Sequence, residues 1–267
     1  MTSRKSQCRV QAPKARPGAK PERRANRKVL VAVGAVVGLA ALGIGLGVAL
    51  AGGDSGLKNV PATGSLANKL TLPQASQVHK LLAGIPQRGN VLGKANAPAT
   101  LIEYIDLQCP FCDQFELTVF PDLVTRYVQD GTLKIEAVPL AFIGPDSERG
   151  RLAAIAAAKQ NKMFDFMEVL YANQGTENTG WLTNDEVTKA AASVPGLKVQ
   201  KLLEGAKLKS ASTLAKSFDK SALAAQVRQT PTIFVGPTGK PVTQVKLTNA
   251  SDKTAVVAAI NKVLNAG

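Results

Sequence analysis

"ATLIEYIDLQCPFCDQF", residues 99–115, sets an apolar, β-prone run directly before two cysteines three positions apart. Residues 99–106, bounded by Pro98 and by the cysteine motif, read as a buried strand. A helix is expected to open at the motif. Pro110 suits a first helical position, where its missing N–H would have had no intrahelical partner. The stretch therefore reads strand–turn–helix, with Cys109 at the helix start and Cys112 one turn further along the same face. Disulfide exchange is carried out by a thiolate, so one cysteine of such a pair needs a lowered pKa. A helix start supplies unpaired backbone N–H groups and the positive end of the dipole. Cys109 is accordingly expected to be the exposed nucleophile and leaving group, and Cys112 its buried partner.

The compartment in which these thiols work is written at the other end of the chain. Residues 1–28 hold ten Lys or Arg and one acid, Glu22, and residues 29–51 carry no charge at all. As a helix those 23 residues rise ~1.5 Å each, enough for a hydrocarbon core of ~30 Å with some tilt. A basic tail sometimes marks nucleic-acid binding, but one that abuts an apolar run is topogenic. The positive-inside rule then leaves residues 1–28 in the cytoplasm and sends the rest outside. Ala49-Leu50-Ala51 resembles a signal-peptidase site. The apolar run nevertheless exceeds the ~7–15 residues of a signal-peptide core, and the reading adopted is an uncleaved anchor. Cys8 is then an exposed, reduced tail thiol. Cys109 and Cys112 face an oxidising space, where structural disulfides join distant segments. A bond spanning three positions staples almost nothing, so its purpose is chemical.

Beyond a linker rich in Gly, Ser, Pro and Asn, the chain reads as one α/β domain. The expected organisation is a basic tail over 1–28, a membrane anchor over 29–51 and a linker over 52–84. The domain itself takes 85–267. Val78, Leu81 and Leu82 suggest a short helix in the linker, and Pro121 should restart the helix that follows the cysteines. Residues 133–140 read as a second strand, and 232–235 and 242–247 as a hairpin joined by Gly-Pro-Thr-Gly-Lys. Between them, apolar residues at i, i+3, i+4 and i+7 mark helices around 163–170, 187–194, 199–206 and 212–225. Thr183 with Glu186 has the spacing of a capping box. Val256, Val257, Ile260, Val263 and Leu264 mark a last helix. Two β-α-β-like halves around one mixed sheet accommodate this order. A structural zinc site needs four ligands, and His79, the single histidine, has no second Cys or His pair to join. No glycine-rich phosphate loop is present, so neither a metal nor a bound organic cofactor is expected.

"VLGKANAPATLIEYIDLQCPFCDQF", residues 91–115, resembles the opening of the DsbA-like branch of the thioredoxin superfamily, as found tethered to Gram-positive membranes. "QTPTIFV", residues 229–235, resembles the second signature of that family. The resemblance implies a thioredoxin-like mixed sheet with a helical insertion, here about 145–228. It implies a cis Pro231 packed against the cysteine pair, with Thr230 offering backbone hydrogen bonds to an extended peptide. X–Pro is the one bond that is cheaply cis. Glu103, six residues before Cys109, stands where the family often has an acid beneath the site. A buried acid there has a raised pKa and can relay the proton of Cys112, a role also open to Asp106. The inner dipeptide Pro110-Phe111 departs from the Pro-His of the most oxidising relatives. Phe111 neither donates a hydrogen bond nor carries charge, which weakens the expectation of strong oxidising power.

The sequence thus points to an extracytoplasmic thiol:disulfide oxidoreductase whose redox centre is the Cys109–Cys112 disulfide. The expected activity is forming disulfides in secreted thiol proteins. By resemblance, its partner for reoxidation is a membrane quinone reductase of the DsbB or vitamin K epoxide reductase-like type. A reductase or isomerase kept reduced by a membrane electron donor is the alternative enzyme. A copper-binding module using the two thiols is the alternative outside catalysis. The topology is testable directly: protease added to intact spheroplasts should digest the domain and spare residues around Cys8. A mature chain beginning near residue 52 would remove the anchor.

Overall fold

The computed structural model describes residues 71–266 together with the backbone of residues 8–9. The charge-free run 29–51 lies outside the described residues; among the described residues no helix is long and apolar enough to cross a membrane. In chain order the elements begin with β1 (Cys8–Arg9), α1 (Ala75–Leu82), β2 (Gln87–Arg88), β3 (Val91–Leu92) and β4 (Ala99–Ile105). Next come α2 (Pro110–Thr118), α3 (Phe120–Leu123) with a π-helical turn over Val124–Val128, and β5 (Leu133–Pro139). Five helices follow: α4 (Pro145–Ala158), α5 (Met163–Tyr171), α6 (Asn184–Ala192), α7 (Val199–Ala206) and α8 (Lys209–Ala224). The chain then returns to strand with β6 (Gln229–Thr230), β7 (Thr232–Pro237) and β8 (Thr243–Gln244), and ends in α9 (Lys253–Leu264).

A six-stranded sheet runs in the order β2-β3-β5-β4-β7-β8. Strand β4 is its axis, paired parallel with β5 and antiparallel with β7. All seven of its residues are buried, as expected of a strand covered on both faces. The β4-α2-β5 unit is the parallel crossover read from the sequence. The second half differs from a β-α-β unit: β7 and β8 form an antiparallel hairpin, and α9 follows it to pack on β7 and β4. The hairpin's outer strand is two residues long rather than six, because it lies at the sheet edge just after Pro241. Tyr104 ties the sheet to the helices through a 2.7 Å hydrogen bond with Ser221. Strands β2 and β3 had no counterpart in the sequence reading. Their register, Gln87 with Leu92 and Arg88 with Val91, leaves Gly89-Asn90 as a two-residue turn, a recognised hairpin signal between runs too short to show alternation.

Helix starts and stops follow their local chemistry. Pro110 is the first residue of α2 with Cys109 as its N-cap. The helix breaks at Val119 and restarts with Pro121 in its first turn. Thr183 caps α6 by accepting the Glu186 backbone N–H at 3.1 Å. Helix α8 begins three residues earlier than the periodicity suggested, immediately after Leu208.

Candidate functional site

The loop 106–109, which carries strand β4 into helix α2, is held in place from four directions. Asp106 is buried, and its carboxylate accepts the Gln108 N–H at 2.9 Å and the Phe142 and Ile143 N–H groups at 2.7 and 3.1 Å. Tyr171 Oη donates to the Asp106 carbonyl at 3.2 Å. Gln174 Nε2 donates to the carbonyls of Leu107 at 2.9 Å and Cys109 at 3.3 Å. Gln108 reaches Ser147 Oγ at 3.1 Å and accepts the Asn178 N–H at 3.2 Å. The segment after β5 therefore supplies most of the clamp. Asp106 is engaged by backbone donors and positions the loop.

The Cys109 carbonyl accepts the Cys112 and Asp113 N–H groups, each at 3.0 Å, opening the first turn of α2. Its Sγ lies 3.5 Å from the Thr230 carbonyl oxygen. Thr230 precedes a cis peptide bond to Pro231, as the family resemblance implied. The structure thus brings Cys109, Cys112, Thr230 and Pro231 together, with Phe111 half-buried against the core beside them. The expected exposure of Cys109 needs correction: it is fully buried, as is Cys112. Thr230 sits against its sulfur, and β1 pairs antiparallel with β6, Cys8 opposite Thr230. Cys112 is a free thiol and Cys109 is disulfide-bonded.

Burial pushes the Cys112 thiol well above its ordinary pKa, and Asp106 and Glu116 add to the rise. The Asp106 N–H, 3.4 Å from Cys112 Sγ, and the Thr230 hydroxyl oppose it. Glu116 rather than Glu103 is the glutamate facing this thiol. It stands at i+4 from Cys112 on α2, hence directly one turn beneath it. That spacing was visible in the sequence and was overlooked. Glu103 from β4 and Glu168 from α5 complete a cluster around Glu116, and all three are buried. Among the described residues no donor reaches either carboxyl oxygen of Glu103, while Glu116 and Glu168 are hydrogen-bonded to each other. Burial raises each pKa well above the ordinary value, and their mutual repulsion raises them further. Asp113, in the first turn of α2, is pushed up to about 6 by desolvation. Burial and mutual repulsion thus favour the protonated form of the three glutamates, one helical turn from a buried sulfur. Among the described residues no group of Cys, His, Asp and Glu is arranged to hold a metal.

A carboxyl whose folded pKa exceeds its unfolded one contributes stability that is present at low pH and lost as pH rises through the folded value. The chain should accordingly lose stability between pH 5 and pH 8. Glu116→Gln should lose less over that interval, by about 1.4 kcal/mol or more, since a pKa difference of one between folded and unfolded chain is worth that much. Urea midpoints of both chains at the two pH values test this. Equal losses would mean that Glu116 is not a protonated buried acid.

The model of the thioredoxin family matches residues 87–253. A curated relative from Bacillus cereus, "Probable disulfide bond formation protein D", is 35% identical over 35% of this chain and 44% of its own length. "Disulfide bond formation protein D" of Bacillus subtilis is 30% identical over 54% of this chain and 66% of its own length. The chain thus spans under half of the first of these relatives and just under two thirds of the second. The crystal structure of oxidised BdbD from Bacillus subtilis superposes with a TM-score of 0.59 at 26% identity, over 68% of this chain and 97% of that one.

Proposed function

Because the chain belongs to the thioredoxin family, with the DsbA-like form of its fold, we propose that it is a thiol:disulfide oxidoreductase acting outside the cytoplasm. In this reading it forms disulfides in secreted proteins. The observation that carries the reading is the division of labour between the two thiols. Cys109 is the N-cap of α2, its sulfur 3.5 Å from the Thr230 carbonyl oxygen at a strand edge, while Cys112 is a free thiol buried one turn beneath. An extended backbone segment pairs at that edge. A substrate segment paired in the same way would be held beside Cys109 for exchange.

The working cycle starts from the Cys109–Cys112 disulfide. A substrate thiolate attacks Cys109 Sγ, the intramotif S–S bond breaks, and Cys112 leaves with the electron pair. Burial disfavours that thiolate, and Glu116 protonates it, with Glu103 and Glu168 sharing the charge left behind. A second substrate thiolate then attacks the substrate sulfur of the mixed disulfide, and Cys109 leaves as a thiolate. The substrate is oxidised by two electrons and the cysteine pair is reduced. A membrane quinone reductase of the DsbB or vitamin K epoxide reductase-like type takes those electrons back. The redox centre is the cysteine pair itself, and no bound cofactor or metal takes part in this scheme.

Residues 29–51 tether the domain in this reading, with residues 1–28 in the cytoplasm. The β6 edge, where residues 8–9 pair in the structure, is the place proposed for an extended segment of a secreted substrate. Phe111 gives the Cys109 thiolate neither a donor nor a cation, so the pair is a milder oxidant than one with His at that position.

Trapping tests the division of labour. In a Cys8→Ser background, Cys112→Ser should accumulate mixed disulfides between Cys109 and secreted proteins, seen as reducible adducts on non-reducing gels. Cys109→Ser should accumulate at least about tenfold fewer, since a thiol lacking the helix-start position exchanges slowly. Equal trapping by both variants would reverse or abolish the assigned roles. A pair found fully reduced in growing cells would favour the reductase or isomerase alternative.

A further inference from the structure

We propose that the face formed by α7, α8 and the turn between them docks on the anionic lipid surface of the membrane that tethers the domain. The inference rests on the tether assigned above. Outside the basic tail, residues 29–267 hold 23 Lys or Arg and 18 Asp or Glu. Residues 198–228 alone hold seven basic and two acidic residues, so the remainder carries sixteen of each sign. All of the formal excess therefore sits in one short segment.

Its placement is as uneven as its composition. On α8, Lys209, Thr213, Lys216 and Lys220 recur at helical spacing on the exposed side, opposite the buried Ala211, Ala215, Phe218 and Ala222. Lys201 on α7 and Lys207 beyond it are exposed next to this stripe. Among the described residues none of these lysines is in an ion pair. Both local acids are engaged elsewhere: Asp219 binds Arg151 at 2.6 Å, and Glu204 accepts a hydrogen bond from Gln200 at 2.8 Å. Leu208 and Leu223, at the two ends of the stripe, are 58% and 65% exposed. A face kept merely soluble mixes charges of both signs and hides its leucines. Unpaired lysines flanked by exposed leucines instead match an interface with acidic headgroups above an apolar layer.

The tether makes the encounter unavoidable. Residues 52–74 span at most roughly 80 Å at full extension, so a domain tethered by residues 29–51 stays near the bilayer. Helix α8 ends four residues before β6. Docking on this face therefore holds Thr230 and Cys109 close to the membrane, where a membrane-bound electron acceptor has to meet them.

The test uses the full-length chain in lipid nanodiscs of phosphatidylcholine alone or mixed with phosphatidylglycerol, with lysine acetylation rates read by mass spectrometry. Lys209, Lys216 and Lys220 should react roughly five-fold more slowly in the anionic discs, as expected for lysines held at such a surface. Lys240, Lys246 and Lys262 should not change, and high salt should cancel the protection. In Lys216→Glu/Lys220→Glu, Lys209 should lose its protection. Equal rates in the two kinds of disc would overturn the proposal. So would protection that appears only in native membranes and not in pure lipid, since the partner would then be a protein. If the chain failed to enter discs of either composition, the tether would be refuted. Flotation with free phosphatidylglycerol vesicles would then decide the surface by itself. Binding abolished by Lys216→Glu/Lys220→Glu would support it, and no flotation would overturn it.

Discussion

Everything at the site depends on burying a sulfur and three carboxyls together without a compensating cation. Cys112, Glu103, Glu116 and Glu168 come from a helix start, a central strand and a helix of the block after β5, and water reaches none of them. Charging any one of them costs desolvation and repulsion at once. Both effects favour the protonated carboxyl, which places a proton source one turn beneath the inner thiol. That constraint explains the asymmetry of the pair. The inner cysteine is stable as a thiol. The outer one stands at the helix terminus beside a strand edge, where exchange with a peptide has room to occur.

The scaffold that imposes this burial is shared between two parts of the chain. The sheet contributes β4 and the loop 106–109. Helices α4 and α5 and the loop after α5 contribute Ser147, Tyr171, Gln174 and Asn178, which fix that loop through its own polar groups. Asp106 spends its carboxylate on three backbone N–H groups and so ties the end of β4 to the segment after β5. A single unanchored loop would let the two sulfurs drift relative to Thr230. Several independent hydrogen bonds prevent that, which is the usual requirement for a preorganised reacting pair.

Much of this was legible in the sequence, for reasons that are local. Pro98, the apolar run and Pro110 bracket the strand–turn–helix unit, and the 3.6-residue pattern marks the helices from residue 163 onward but not α4, which is buried along most of its length. The cysteine spacing and Pro231 identified the site. Three things were not legible. The burial of Cys109 depends on the segment paired with β6, a contact between residues more than two hundred positions apart. Glu168 joins the cluster only through the packing of α5 on α2, which no periodicity announces. The anchoring of Asp106 depends on its partners at Phe142 and Ile143, again remote in sequence. Glu116 was a different kind of miss, since i+4 spacing from Cys112 alone places it on the same helical face.

The most direct test of the neutral buried cluster is infrared spectroscopy of the carboxylic-acid C=O stretch at neutral pH, compared between the oxidised and reduced chain. Protonated carboxyl bands should be present in both states, shift on reduction of the cysteine pair, and be lost in part from Glu116→Gln. A spectrum at neutral pH with no protonated carboxyl band would contradict the account, because the inner thiol would then have no buried acid from which to take its proton.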